Sequence, residues 1–314
     1  MPEPTLNATA QAAPPGPEVR WSGRSRGGYF GNWFFVQLIR WCGLWPAYFW
    51  LIFVAAYFTL ASPQSYRSSV QFLRRVRGPQ PFWRWPFLVY QHFFSFGVTL
   101  LDRLGVIMGQ ARMEYSFENE ALFREYLGRG QGIILLGAHL GSWDLGGHLL
   151  GRLDKPVNLI VLEKEEAQIR KLYSQALAAK QFQLLSTDGH PLRSIPIIAA
   201  LRRGEIVALH GDRTFGGAAQ AAPFLGGTAQ FPVGAFLLAA ASGAPIFQVF
   251  SVREKIGHYR CYTFPPQFLD RKLLRATPEQ LQPYVNEYAD RLAEFARRYP
   301  YQWSNFYPFW EETV

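Results

Sequence analysis

The sequence predicts an α/β fold: a mixed, largely parallel central sheet flanked by helices, preceded by N-terminal membrane-associating helices. Three observations predict it. From Glu118 onward, short branched-apolar runs alternate with helical segments, as strands and crossover helices do. Ahead of them lie long aromatic stretches with few charges. Finally, residues 1–114 hold 11 arginines and four acids, against 21 basic and 19 acidic side chains in the remainder. Most of the net charge of +9 therefore sits with the aromatic third.

Residues 1–32 read as a Pro/Ala-rich disordered leader followed by a basic, Gly-rich approach. The leader lacks the basic start and apolar core of a signal peptide. Residues 33–114 read as a membrane-associating, aromatic and Arg-rich helical region. Within it, Trp41 to Ala61 is an uncharged run of 21 residues, long enough as a helix to cross a bilayer core of about 30 Å. Arginines flank both ends, so charge assigns no orientation. Pro46 is placed to kink the run. A true span, a helix pair dipping into one leaflet and a pair of core helices all remain open. Pro86–Gly109, which contains Asp102 and Arg103, reads as an interfacial or core helix. Arginine among aromatics would also suit nucleic acid, but no nucleic-acid motif accompanies it. A membrane-length segment does, and a membrane surface is the better partner.

Residues 115–314 read as the catalytic domain. "ENEALFREYLGRG" predicts an amphipathic helix, "GIILLGAH" a buried strand, and "SWDLGGHLLGRL" the next helix with Ser142 as its N-cap. "PVNLIVLEK" and "FQLLSTD" predict strands either side of the helix "EEAQIRKLYSQALAAKQ". "LRSIPIIAALRRG" is a helix stopped at Gly204, "EIVALHGD" a strand and "FPVGAFLLAAASG" a helix. "APIFQVFSVRE" and "HYRCYTFPPQF" form a strand pair, and a long helix follows Thr277 as its cap. The two cysteines, Cys42 and Cys261, show neither disulfide nor metal spacing, which suits a reducing compartment.

In such sheets ligands gather beyond the carboxyl ends of the strands. His139 ends one strand, and His210, Asp212 and Arg213 end another. An imidazole near neutral pH is a ready proton acceptor once a carboxylate fixes its tautomer. Asp144, in the first turn after His139, is expected to do that, with Gly141 keeping the turn free of bulk. No G-x-S-x-G elbow is present and neither cysteine has a partner, so the nucleophile is expected to be a substrate hydroxyl or amine. A metal set of His139, Asp144, His210 and Asp212 lacks tight ligand spacing, and no metal is expected. His148 and His210 read as packing residues.

Four blocks stand in order along the chain: "GAHLGSWD", "ALRRGEIVALHGDRTFGG", "APFLGGTAQFPVGAFLLAAASGAPIF" and "YPYQWSNFYPFW". Together they resemble the lysophospholipid acyltransferase superfamily, in the branch of the lauroyl and myristoyl acyltransferases of bacterial lipid A biosynthesis, over roughly residues 33–310. The resemblance implies a glycerol-3-phosphate acyltransferase-like domain at the bacterial inner membrane, its catalytic part facing the cytoplasm. His139 would deprotonate an acceptor hydroxyl, oriented by Asp144. The hydroxyl would attack an acyl thioester on acyl carrier protein or coenzyme A, used as co-substrate with no other cofactor.

Backbone N–H groups near Gly141 and Ser142 are candidates for the oxyanion. Asp212 and Arg213 are expected to contact substrate, Arg213 binding a phosphate or carboxylate, and Phe224, Gly226 and Gly227 would shape an acceptor groove. Lys164 and Arg170 are further candidate contacts. Asp212–Arg213 stands where lipid A enzymes show Asp-Gln, which leaves the lipid or glycolipid acceptor open. Two other readings stand beside this one: a thioester or lipid hydrolase, and a non-enzymatic membrane-binding protein.

Overall fold

The computed structural model describes residues 28–142, 155–162, 183–187, 194–214, 217–275 and 277–310. The expected leader and the expected helices after His139 and after Leu162 lie outside them. So do Asp144, His148, Lys164 and Arg170.

Helices α1 (Gly28–Cys42) and α2 (Leu44–Ala61) divide the expected 21-residue apolar run. The break is at Gly43, whose φ of 80° lies in the left-handed region where a side chain is disfavoured. Trp41 and Cys42 thus end α1, and Pro46 falls in the first turn of α2, where its missing N–H costs no helical bond. α2 buries Ala47, Tyr48, Leu51, Ala55 and Thr59, a stripe at helical spacing along its whole length. That stripe faces α4 (Trp85–Ile107), and Leu51 presses on Gly97 where a side chain would not fit.

α4 is a core helix: His92, Val89 and Asp102 are each 0% exposed. Asp102 accepts hydrogen bonds from the Tyr48 and Tyr259 hydroxyls, and Arg253 Nη1 lies 4.0 Å away. α3 (Pro63–Arg77) is amphipathic, with Ser69, Phe72 and Leu73 turned inward and Arg67, Arg74 and Arg77 exposed.

The main sheet has seven strands in the order β1-β9-β8-β2-β5-β3-β4. β2 (Ile133–Gly137), β3 (Val157–Leu162), β4 (Gln183–Thr187), β5 (Ile206–His210) and β8 (Ile246–Lys255) run parallel. β9 (His258–Thr263) turns back against β8, and β1 (Glu114–Glu118) pairs parallel to β9. Among the described residues, the expected strands and helices occur in the expected order. β1 is an addition, an exposed edge strand too polar to announce itself, and it starts one residue before the expected domain boundary.

Every residue of β2 is buried because both faces of the sheet are covered. Ile134 and Leu136 point to one core, with α6 (Ser194–Arg202), α7 (Gly234–Ser242) and α8 (Pro278–Arg298). Ile133 and Leu135 point to the other, with α5 (Glu120–Gly128). Each such side chain contributes about 1.5–3 kcal/mol on burial.

The chain from Ala219 to Pro232 is a hairpin, β6 (Ala219–Phe224) and β7 (Gly227–Pro232), that the residue pattern did not announce. Its two-residue turn uses Leu225 and Gly226 at φ 49° and 74°. Hairpin turns favour Asn-Gly or Asp-Gly here, and a leucine carries no such signal. α8 begins as expected after Thr277, whose backbone N–H donates to Gln280 Oε1 at 3.0 Å.

Candidate active site

β2 and β5 are adjacent and parallel, with Gly137 opposite His210. Two residues further on, His139 therefore faces Asp212 across the carboxyl end of the sheet. Asp212 is 1% exposed and takes three donors. Its Oδ1 meets His139 Nδ1 at 2.8 Å, while Oδ2 accepts the His139 backbone N–H and the Trp303 Nε1–H, each at 3.0 Å. Burial raises the proton affinity of Asp212, but His139, Arg213 and His210 outweigh it and hold the carboxyl well below its usual range. A buried carboxylate on Nδ1 selects the tautomer with the proton on Nδ1 and the lone pair on Nε2. The His139 side chain is 25% exposed, so that lone pair has a route to substrate.

His210 packs its ring 4.1 Å from that of His139. Burial, then the neighbouring His139, pushes its pKa well below the ordinary value, so it is neutral beside the pair. Among the described residues, no three His, Cys, Asp or Glu side chains gather as metal ligands.

The turn after His139 corrects one expectation. The Gly141 N–H donates to the Gln302 carbonyl and the Ser142 N–H to the Ser251 carbonyl, both at 2.8 Å. Neither is left for an oxyanion, because residues 140–142 run on as bridges to Trp303 and to β8. The role of Gly141 is close backbone approach: at its φ of 69°, a Cβ would come within 1.9 Å of the Ser251 oxygen.

Phe224 is 1% exposed, its ring 5.3 Å from Trp303 and 5.4 Å from Phe309, so it is a core side chain and not a groove wall. Gly226 is an exposed turn residue. Gly227 lies under Arg75, where a Cβ would approach Nη1 to 2.6 Å. Arg213 is half-buried, donates from Nη2 to the Ser304 carbonyl at 2.8 Å, and lies 5.4 Å from the Tyr307 ring centroid.

The residues around the pair that spacing did not reveal come from the C-terminal strap after α8. Gln302 holds Gly141, Trp303 holds Asp212, and the Ser304 N–H donates to the His139 carbonyl at 2.8 Å. Buried His92 on α4 donates from Nε2 to the Trp303 carbonyl and accepts the Ser69 hydroxyl at Nδ1, both at 2.8 Å. "YPYQWSNFYPFW" stood out as a block, but nothing in its spacing ties it to a histidine about 160 positions upstream.

Compared with known protein families, residues 28–312 match the model described as bacterial lipid A biosynthesis acyltransferase. Among solved structures, the chain is similar to the 1-acyl-sn-glycerophosphate (LPA) acyltransferase PlsC from Thermotoga maritima. That similarity has 14% identity and a TM-score of 0.37, covering 78% of this chain and 94% of that one. No curated protein matches the chain.

Proposed function

The chain belongs to the bacterial lipid A biosynthesis acyltransferase family, and from that premise we propose that it carries a fatty acyl group from an acyl thioester to a hydroxyl of a lipid or glycolipid, with His139 as general base. The observation that carries the reading is the His139–Asp212 pair at the carboxyl ends of adjacent parallel strands.

The acceptor hydroxyl gives its proton to Nε2 of His139 while its oxygen attacks the thioester carbonyl carbon. Asp212 keeps the proton on Nδ1 and balances the imidazolium. As the tetrahedral intermediate collapses, the C–S bond breaks, and the Nε2 proton leaves with the sulfur as thiol. No protein nucleophile is needed. The family resemblance gives the orienting role to Asp144, whereas the geometry supports Asp212, and substituting each separates them. Arg213, fixed by Ser304, is positioned to hold a phosphate or carboxylate of donor or acceptor.

Association with a membrane is supported by the outer faces of α1 and α2. Trp41 and Leu60 are 76% and 85% exposed there, beside Trp45, Phe49, Phe53 and Tyr57. One stripe of α2 packs on α4, and the other faces of this 18-residue apolar helix are left for the membrane. The bacterial inner membrane, with the catalytic part on the cytoplasmic side, is the place this reading assigns.

Membranes carrying wild type or His139→Ala are incubated with radiolabelled acyl carrier protein thioester or acyl coenzyme A. Label entering lipid only with His139 supports the reading. Release of free acid instead points to hydrolysis, and equal transfer by both proteins sinks the assignment of His139.

A further inference from the structure

Trp303 is one of the largest fully buried side chains, packed against Phe72, Phe224, Phe309 and Trp310. A buried indole needs a partner for its N–H, and a backbone carbonyl would serve. Trp310 follows that pattern, donating to the Phe224 carbonyl at 3.0 Å. Trp303 instead spends its N–H on the carboxylate that holds His139. Its own carbonyl is held by His92 of α4, and its flanking residues hold Gly141 and the His139 carbonyl. The indole is thus anchored from the helical region on one side and from the sheet on the other.

We infer that Trp303 is a positioning residue for acyl transfer: its Nε1–H fixes Asp212 Oδ2, so that Oδ1 keeps the His139 imidazole aimed with Nε2 toward the acceptor hydroxyl. The inference rests on His139 being the general base. Without the indole donor, Oδ2 keeps one hydrogen bond, from the His139 backbone. The carboxylate is then freer to rotate, and its negative charge is less spread. A less stabilised carboxylate attracts the imidazolium more strongly, which favours the ion-paired form of the dyad. Trp303 is 1% exposed and meets no substrate, so its effect falls on turnover rather than on substrate binding.

The test uses the full chain in membranes, with Trp303 replaced by β-(3-benzothienyl)alanine, which keeps the ring shape and puts sulfur in place of N–H. The same replacement at Trp310 is the control. At position 303, kcat is expected to fall roughly tenfold at unchanged KM. The acidic limb of the pH profile is expected to move up by about half a pH unit, with the modest fall in thermal midpoint that loss of one donor to a buried carboxylate brings. The Trp310 replacement should leave the pH profile in place. Wild-type kcat and pH profile at position 303 would overturn the inference. So would a lowered midpoint with an unmoved acidic limb, which would make Trp303 a packing residue only. If His139→Ala retains full activity, the base assignment itself fails, and that outcome is read independently of the tryptophan.

Discussion

His139 Nδ1 lies 2.8 Å from Asp212 Oδ1, although 73 positions separate the two in sequence. The register of β2 with β5 accounts for this, since matched strand ends bring matched overhangs together. Asp212→Asn is expected to lower kcat by roughly 10²- to 10⁴-fold, because the amide no longer favours the proton on Nδ1 or balances imidazolium. Steady-state kinetics on Asp212→Asn and Asp144→Asn side by side checks it. Loss confined to Asp144→Asn would return the orienting role to Asp144.

Gly141→Ala is expected to cost several kcal/mol, on the order of 2–4, because the new methyl meets the Ser251 carbonyl in a left-handed backbone. Gly226→Ala, also left-handed but with nothing within 4 Å of a Cβ, is expected to cost only about 1–2 kcal/mol. Urea denaturation of the two variants measures the contrast. Equal losses would mean that backbone conformation alone, and not the close approach, sets the requirement at Gly141.

His92 gives the fold a pH dependence with a definite sign. Burial lowers its pKa from 6.5 to about 4, against the opposing pull of the Trp303 carbonyl. The unfolded chain therefore takes up this proton first. Stability from this group is complete above pH 6.5 and is lost as the pH falls toward 4, by up to about 3 kcal/mol. His210 loses stability in the same direction in wild type and variant alike. His92→Gln should therefore show a shallower fall between pH 6.5 and 4.5 in denaturation midpoints, and a parallel fall would contradict the assignment.

Asp102 ties the N-terminal helices to the sheet through Tyr48 of α2, Tyr259 of β9 and Arg253 of β8. Asp102→Ala leaves a largely buried guanidinium facing a cavity and is expected to cost about 3–5 kcal/mol. Tyr48→Phe removes one donor and is expected to cost about 1–2 kcal/mol. Thermal melts of both, together with a variant lacking residues 28–61, should show the largest loss in the deletion. An unchanged melting midpoint in the deletion would make α1 and α2 a detachable anchor.

The outer aromatic face makes a separate prediction. Replacing Trp45, Phe49 and Phe53 together by serine should abolish flotation with phosphatidylglycerol vesicles while leaving the melting midpoint near wild type, since all three are exposed. Undiminished flotation would remove this face from membrane contact.

Much of the architecture was legible because it is written in local chemistry. Branched apolar runs such as Ile133–Leu136 mark doubly covered strands, and Gly204 and Thr277 mark helix ends. What stayed hidden lacked a local signal. β1 is half polar, the Leu225–Gly226 turn has an unusual residue, and the Gly43 break sits inside an uninterrupted apolar run. For the site, the histidine at a strand end was readable as a candidate, and so was the neighbourhood of Asp212. Which carboxylate meets Nδ1, and which N–H groups are already spent, depends on strand order and on a strap more than 160 residues away.

The sequence by itself determined the α/β class, most of its described core strands and helices and the chemical types available at the strand ends, since periodicity and capping act over a few residues. Only the tertiary structure decided that Asp212 and Trp303 converge on His139, and that Gly141 serves backbone approach. Those contacts follow from strand register and chain crossing, which no short stretch of residues encodes.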